Sequence, residues 1–578
     1  MKQRIFCHEK FKSLMFSATM TITVVFLMTL SDTVVTGRIL GEQALIGVNL
    51  VSPLVSLTAF ICMMIGTGTA YRFSYELGSF RRERAREYAG QGLLLCLALS
   101  AGLALLAYAG RDAYLASVST SGEVLAYTRG YYTYIPALVL TYPFYILFQD
   151  LAYADGAGKL CVATSLVQLA VNVAVSVAAC LRIGIAGVSL GTVVGNVTAI
   201  AMYLTRLASK NTNLRFTPHL SAADVWTVLK YSYVHASLYL YWGVSWMVLN
   251  RFFTVKFDER SFPVMTVING VLYLTLVFDG VGQAAEPILN VYWGEGNPDG
   301  VRKVMGAALK TALAEGLAAA LLLLVLGGNV SRIYGITTPE IVEMSAVAVR
   351  ILAPAMPFVS LLYLFTMYYL LTGRFFISFA ISFCKDFAFF ALLPIAMGLA
   401  MDMSGMWSGM TLSFVAVTVG GGLILHSRHG KSFPLLLEEK AVVSKDAWLD
   451  QDGVMGLRDW AEEECGRHDI EPRRQMKLML FIEELGMTIV EKNGSKPPLC
   501  ELTLFFDDPE ALGVIMRDNG VSYDMAEEES PTLRVYLVNS LLANNASNSY
   551  LLTHNYNRNI FKIKRDATKR RAKQEAGK

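Results

Sequence analysis

The chain has 578 residues, of which 54% are hydrophobic and 17% charged, with a mean hydropathy of +0.43. That balance excludes a single water-soluble globule. A net charge of +3 gives no electrostatic footprint for nucleic acid, and the eight cysteines, Cys7, Cys62, Cys96, Cys161, Cys180, Cys384, Cys465 and Cys500, show no paired spacing of a disulfide framework or zinc site.

The charges are unevenly placed: 46 lie in the last 148 positions and 51 in the first 430. A membrane helix takes roughly 20 mostly apolar residues, and twelve such runs are expected before residue 430. They fall near 13–37, 48–70, 89–110, 132–154, 160–181, 186–206, 224–250, 262–290, 306–328, 346–371, 376–400 and 405–426. Lys2, Arg4, Lys10 and Lys12 precede the first run as in a signal peptide, but no small-residue cleavage site follows, so a retained span is expected. Arg72, Arg81, Arg82, Arg84 and Arg86 crowd the joint after span two, Arg206, Lys210 and Arg215 that after span six, and Arg302 with Lys303 that after span eight. By the positive-inside rule these joints face the cytoplasm, which puts both termini there, in a multi-pass protein of the plasma membrane.

Behind Lys431 the period changes. The segments 448–468, 473–492 and 533–543 read as helices, and 501–506, 514–517, 549–555 and 559–564 as strands. The expected organisation is a cytoplasmic N-terminus (1–12), a six-helix bundle (13–206), a cytoplasmic linker (207–223), a second six-helix bundle (224–426), a linker (427–444), a soluble α/β sandwich (445–566) and a basic disordered tail (567–578). The fold class is thus membrane all-α, twelve transmembrane helices in two pseudo-symmetric bundles, plus the C-terminal sandwich.

Pseudo-symmetry rests on landmarks that recur 216 to 218 positions apart: Gly66 and Gly282, Gly78 and Gly294, Arg86 and Arg302, Gly156 and Gly373, Gly187 and Gly405, Gly191 and Gly409. Repeats of this kind suit a secondary transporter whose halves rock about a path between them.

Leu30-Ser31-Asp32-Thr33 through Gly37, Leu40-Gly41-Glu42-Gln43-Ala44 and Val48-Asn49-Leu50-Val51-Ser52-Pro53-Leu54 resemble the first two helices of multidrug and toxic-compound extrusion (MATE) transporters. Glu76-Leu77-Gly78, the run Gly184 to Thr192, and Pro287 before Trp293-Gly294 are similar to further signposts of that family, over roughly residues 10–428. The resemblance implies that Asp32 is the cation or proton site, with Asn172, Ser176 and Thr192 around it. Asn172 and Ser176, four residues apart, share a helix face. One carboxylate makes a weaker sodium site than two, which favours proton over sodium as the coupling ion.

Asp279 and Glu286, two turns apart, are secondary candidates; Glu286-Pro287 is expected at the solvated cytoplasmic end and Asp279 deeper. Lys385 and Asp386 interrupt span eleven and are expected to neutralise each other or to be solvated within the bundle. Tyr142, Tyr239, Trp242, Trp246, Met356 and Met367 are pocket candidates for a bulky organic cation, and serve equally well as packing groups.

In the tail, Phe481-Ile482-Glu483-Glu484-Leu485, Asp518-Asn519-Gly520 and Asn559-Ile560-Phe561-Lys562-Ile563 resemble the histidine-kinase-like ATPase fold, nearest its anti-sigma-factor-type kinases. The resemblance implies an adenine contact at Asp518 and Gly520, and a metal-binding asparagine one turn after Glu484. Thr488 stands there instead, and Pro531 to Val535 lacks the lid glycines. The expectation is a degenerate nucleotide site, no bound metal or cofactor, doubtful ATP binding, and a regulatory module with a cytoplasmic protein partner.

The expected function is export of amphipathic or cationic organic compounds against proton or sodium entry. A transporter-derived sensor and a flippase of lipid-linked substrates stand as alternatives. An ATP-driven pump or kinase is disfavoured, because no Walker A pattern occurs.

Overall fold

In lipid each backbone N–H and C=O must be paired within its own segment, so long apolar runs fold as helices. The computed structural model describes residues 5–40, 42–117, 122–209, 212–257, 262–333, 338–494, 496–523, 546–553 and 556–564. Its first half contains α1 (Phe6–Leu40), α2 (Glu42–Gly78), α3 (Arg82–Ala109), the short α4 (Arg111–Ser117), α5 (Gly122–Tyr132), α6 (Ile135–Ala154), α7 (Gly158–Ile183) and α8 (Ala186–Ala208). The second half contains α9 (Ala222–Lys256), α10 (Phe262–Leu274), α11 (Asp279–Glu295), α12 (Pro298–Ile333), α13 (Pro339–Leu352), α14 (Met356–Leu371), α15 (Phe375–Phe383), α16 (Phe389–Val415) and α17 (Gly421–His429). Among the described residues, eight helical stretches are long and apolar enough to cross a membrane.

The repeated landmarks pack alike in the two halves. A Cβ on Gly66 would meet Ile146 and Asp150 of α6, and one on Gly282 would meet Met367 of α14, the residue 217 positions after Asp150. Gly156 and Gly373 both hold positive φ, +79° and +74°, in the turns that follow α6 and α14. Gly191 lies against Asn172 and Ser176 of α7, as Gly409 lies against Leu393 and Pro394. Within α16, Met401 and Asp402 leave helical geometry, so a turn falls where the sequence separates spans eleven and twelve. Gly78 and Gly294 pack against each other's chains: a Cβ on Gly294 would stand 3.0 Å from the Gly78 carbonyl carbon. The two lobes therefore meet where α2 and α11 end.

Behind the helices, β1 (Val442–Trp448), β2 (Leu499–Phe505), β3 (Ala511–Asp518), β4 (Ala546–Thr553) and β5 (Tyr556–Lys564) form one antiparallel sheet in the order β1-β2-β3-β5-β4. Helices α18 (Gln451–Arg467) and α19 (Pro472–Asn493) cover one face, where Leu457, Phe481, Leu485, Leu502, Val514 and Phe561 join a common core. The sheet begins at Val442, three residues ahead of the expected boundary at 445. The expected helix at 533–543, the segment 531–535 and the basic end at 567–578 lie outside the described residues.

Candidate functional site

Two polar sites interrupt the apolar helices. In the first lobe the Thr192 hydroxyl on α8 donates to Asp32 Oδ2 of α1 at 3.5 Å, and Asn172 Nδ2 on α7 donates to Thr192 Oγ1 at 3.2 Å. Asn172 is fully buried, while Asp32 Oδ1 and Asn172 Oδ1 are enclosed without a hydrogen-bond donor among the described residues. One turn along both helices Gln168 Nε2 donates to Asn196 Oδ1 at 2.9 Å. Buried acceptors left open in this way accept a proton, a cation or water readily, because each costs free energy until it is partnered. Ser176 shares the α8-facing side of α7 with Asn172: its hydroxyl donates to Val188 O of α8 at 3.5 Å, against the close approach of Gly191.

The second site is a cleft between the lobes. It is lined by Thr67 and Tyr71 of α2, Tyr231 of α9, Asp279 and Glu286 of α11, and Met367 of α14, with Lys385 and Asp386 behind them. Counting its open mouth, the cleft encloses about 580 Å³. Asp279 and Glu286 share a face of α11, and Asp150 of α6 comes near enough for all three charges to interact. Thr67 Oγ1 donates to Asp150 Oδ2 at 3.4 Å and Gln283 Nε2 to Asp279 Oδ2 at 2.9 Å. Lys385 and Asp386 pair at 2.7 Å in a buried π-helical turn and cancel each other's charge. The cleft is therefore acidic and aromatic, a setting that attracts organic cations.

The MatE family model matches residues 18–178 and 244–411, one segment in each lobe and more than half of the chain. The chain belongs to the MatE family. The solved structures add the same fold at low identity. A crystal structure of a MATE protein in complex with MaL6 superposes with a TM-score of 0.68 at 16% identity, over 73% of this chain and 96% of that one. A transporter of the MOP superfamily from Pyrococcus furiosus, described as having a binding pocket of reverse polarity, gives 0.66 at 16% over 73% and 96%. The Vibrio cholerae MATE transporter VcmN in its bent form gives 0.67 at 15% over the same shares. No curated protein matches the sequence.

Within this MatE fold the other expected residues scatter. Glu286 corrects its expectation: α11 continues nine residues beyond it to Glu295, so its carboxylate lines the cleft instead of a solvated helix end. Of the pocket candidates, Met367 lines the cleft. Trp242 and Trp246 pack with Phe390 in the second lobe's core, Met356 is 1% exposed in the same cluster, and Tyr142 stacks on Tyr145 in the first lobe. The Tyr239 side chain lies outside the described residues. Asp150 was not anticipated. It stands five residues before Asp155, whose pairing with Arg206 closes the lobe, and in sequence the two acids read as one span end.

The expected nucleotide residues in the C-terminal sheet region are engaged with their own fold. Asp518 is fully buried and accepts from Gly520 N at 2.9 Å, Asn557 Nδ2 at 2.9 Å and Tyr523 Oη at 3.2 Å. Burial lifts its carboxyl above the usual range, and these donors oppose the lift. Gly520 sits against the Asn493 amide, closer than any Cβ would permit, and the Thr488 hydroxyl donates to Glu484 O at 2.7 Å. Each polar group of the would-be adenine contact thus has an internal partner.

Proposed function

We propose that this MatE protein is a secondary active transporter that exports amphipathic or cationic organic compounds in exchange for protons. The observation that carries the reading is the acidic, tyrosine-lined cleft between two pseudo-symmetric lobes, with a separate carboxylate, Asp32, half-buried between α1 and α8 in the first lobe. The substrate would occupy the cleft and the proton Asp32, and rocking of the lobes would expose both to either side in turn. Because position 176 on α7 is serine, Asp32 has no second carboxylate there, and a single carboxylate suits a proton better than sodium. We further propose twelve spans, a plasma-membrane location and both termini in the cytoplasm, on the basic joints already described.

For the soluble domain we propose a degenerate ATPase-like module that regulates transport and has exchanged nucleotide for internal hydrogen bonds. The docking of that domain onto the helices also favours a second reading, a sensor that passes the state of the lobes to a cytoplasmic protein.

Energised vesicles separate the two. A panel of organic cations should leave the vesicle lumen under an imposed proton gradient and to a lesser extent under a sodium gradient, and Asp32→Asn should reduce the proton-driven rate by about tenfold or more, roughly 1.4 kcal/mol per decade. Equal transport by that variant would exclude coupling through Asp32. Ligand binding without any flux would favour the sensor.

A further inference from the structure

We propose that the soluble domain is a state-selective clamp: its bare sheet face binds the abutting ends of the two lobes and holds the transport path shut on that side. The inference rests on the proposed rocking of the lobes and on the cytoplasmic placing of the tail.

An antiparallel sheet covered on one face ordinarily turns its other face to water. Here the alternate residues Glu501, Thr503, Arg517 and Arg558 lie on that second face, and all four are 0% exposed. The covering surface is the end of the helical lobes. Arg517 pairs with Glu501 of the neighbouring strand and, at 2.5 Å, with Glu295 at the last residue of α11. Arg558 Nη1 lies 3.5 Å from Glu295 Oε1, and Tyr292 of α11 donates to Glu501 at 2.8 Å. The same Arg558 donates through Nη2 to Leu77 O of α2 at 2.7 Å and stands 3.7 Å over the Phe80 ring. One guanidinium thus grips the first lobe through α2 and the second through α11, at the point where Gly78 and Gly294 abut.

Glu295 and Glu501 face Arg517 and Arg558, and Lys303 of α12 reaches Glu501 from the rim at 3.9 Å, so each acid has a cation beside it, as a built interface requires when charges leave water. A rim of contacts repeats the pattern. Phe6 N of α1 donates to Asp446 of β1 at 2.9 Å, and Lys303 of α12 donates to Ser444 of β1 at 2.7 Å. If α2 and α11 part at this end, Arg558 cannot keep both Leu77 and Glu295, and a buried charge loses its partner. The docked domain therefore binds the closed arrangement more tightly than the open one, and by linkage the closed arrangement binds the domain more tightly. Arg517 Nε, Arg558 Nε and Glu501 Oε1 find no hydrogen-bond partner within the cluster, which leaves the clamp releasable.

The test uses the full chain and needs neither substrate nor gradient, so it can fail while transport stands, and the reverse. Nitroxides at Glu83→Cys and Arg302→Cys, exposed positions where α3 and α12 begin, report the lobe separation by pulsed electron resonance, in a background with Cys7 and Cys384 replaced. In a separate preparation that keeps it, alkylation of Cys7, which is 1% exposed and lines the cavity under the domain, reports undocking. In Arg558→Met and Arg517→Met, Cys7 should become reactive and the ratio of long to short distances should rise about tenfold. Lys303→Gln, at the rim, should shift both readouts in the same direction by a smaller factor and serves if the buried variants do not fold. Two outcomes overturn the clamp: reactive Cys7 with unchanged distances, or protected Cys7 and unchanged distances in every variant.

Discussion

The two carboxylates of α11 and the one of α1 sit in different surroundings, and that difference predicts different phenotypes. Glu286→Gln removes one carboxyl group that a bound cation would hold ionised, and leaves Asp279 beside Gln283. Affinity for a cationic substrate should fall about tenfold, roughly 1.4 kcal/mol and the scale of one screened charge pair, whereas binding of a neutral aromatic compound should be unchanged in equilibrium titrations. In the soluble domain Asp446 gives a pH dependence whose sign can be worked out. Burial, with the nearby Glu501, raises its carboxyl from 3.8 to about 6, while Phe6 N, Lys303 and Arg517 pull the other way. A raised acid binds its proton more tightly when folded and docked, so its contribution favours that state in acid and is lost as pH rises from about 4 through 6. Two pH units correspond to roughly 3 kcal/mol. Melting curves of wild type and Asp446→Asn should converge near pH 4.5 and separate toward pH 7.5, with wild type the less stable; parallel curves would remove the assignment. Asp32 was legible in the sequence because a lone acid deep in an apolar run demands an explanation. Asp150 was hidden by its nearness to Asp155, and the bond from Ser176 to Val188 was hidden because helix spacing places Cα atoms on a face but does not choose a hydrogen-bond partner.

At the scale of elements the apolar runs, their joints and the repeat were legible, since lipid forces helices and a fixed offset marks duplication. The packing of the landmark glycines gives the repeat a mechanical meaning. Gly294→Ala would drive a methyl to 2.9 Å from Tyr75 O and 3.0 Å from Ser79 N, both backbone atoms that cannot turn aside. The lobes must part slightly, which should cost about 1–3 kcal/mol and lower the melting temperature in detergent. Gly306→Ala on α12, with nothing within 4 Å of its new methyl, is the matched control and should melt as wild type. Strand β1 escaped the sequence reading because Val442-Val443-Ser444-Lys445-Asp446 mixes charge into a short run beside Glu438, Glu439 and Lys440, and resembles a linker. Its order comes from pairing with β2 along Val442 to Trp448. The contacts of the second sheet face were equally hidden: Glu501, Arg517 and Arg558 are charged residues at alternate strand positions, as in a water-facing row, and only the helices opposite reveal that they are buried.

For the molecule as a whole, the soluble domain is bound to the lobes and closed around its own polar groups. Equilibrium dialysis of the full chain with ATP and magnesium should show no binding tighter than about millimolar, the weak-affinity range near 4 kcal/mol. Tight binding would require Asp518 to release Asn557, Gly520 and Tyr523. The bond from Phe6 N to Asp446 has another consequence, for assembly order. It joins the head of α1 to a strand 440 residues later, so α1 waits for the C-terminal sheet before its opening turn is fixed. The lobes can insert and pair while the chain is still growing, but the seam between them is finished only once β1 has been made, and a chain stalled before residue 442 would leave a membrane bundle with an unsealed mouth.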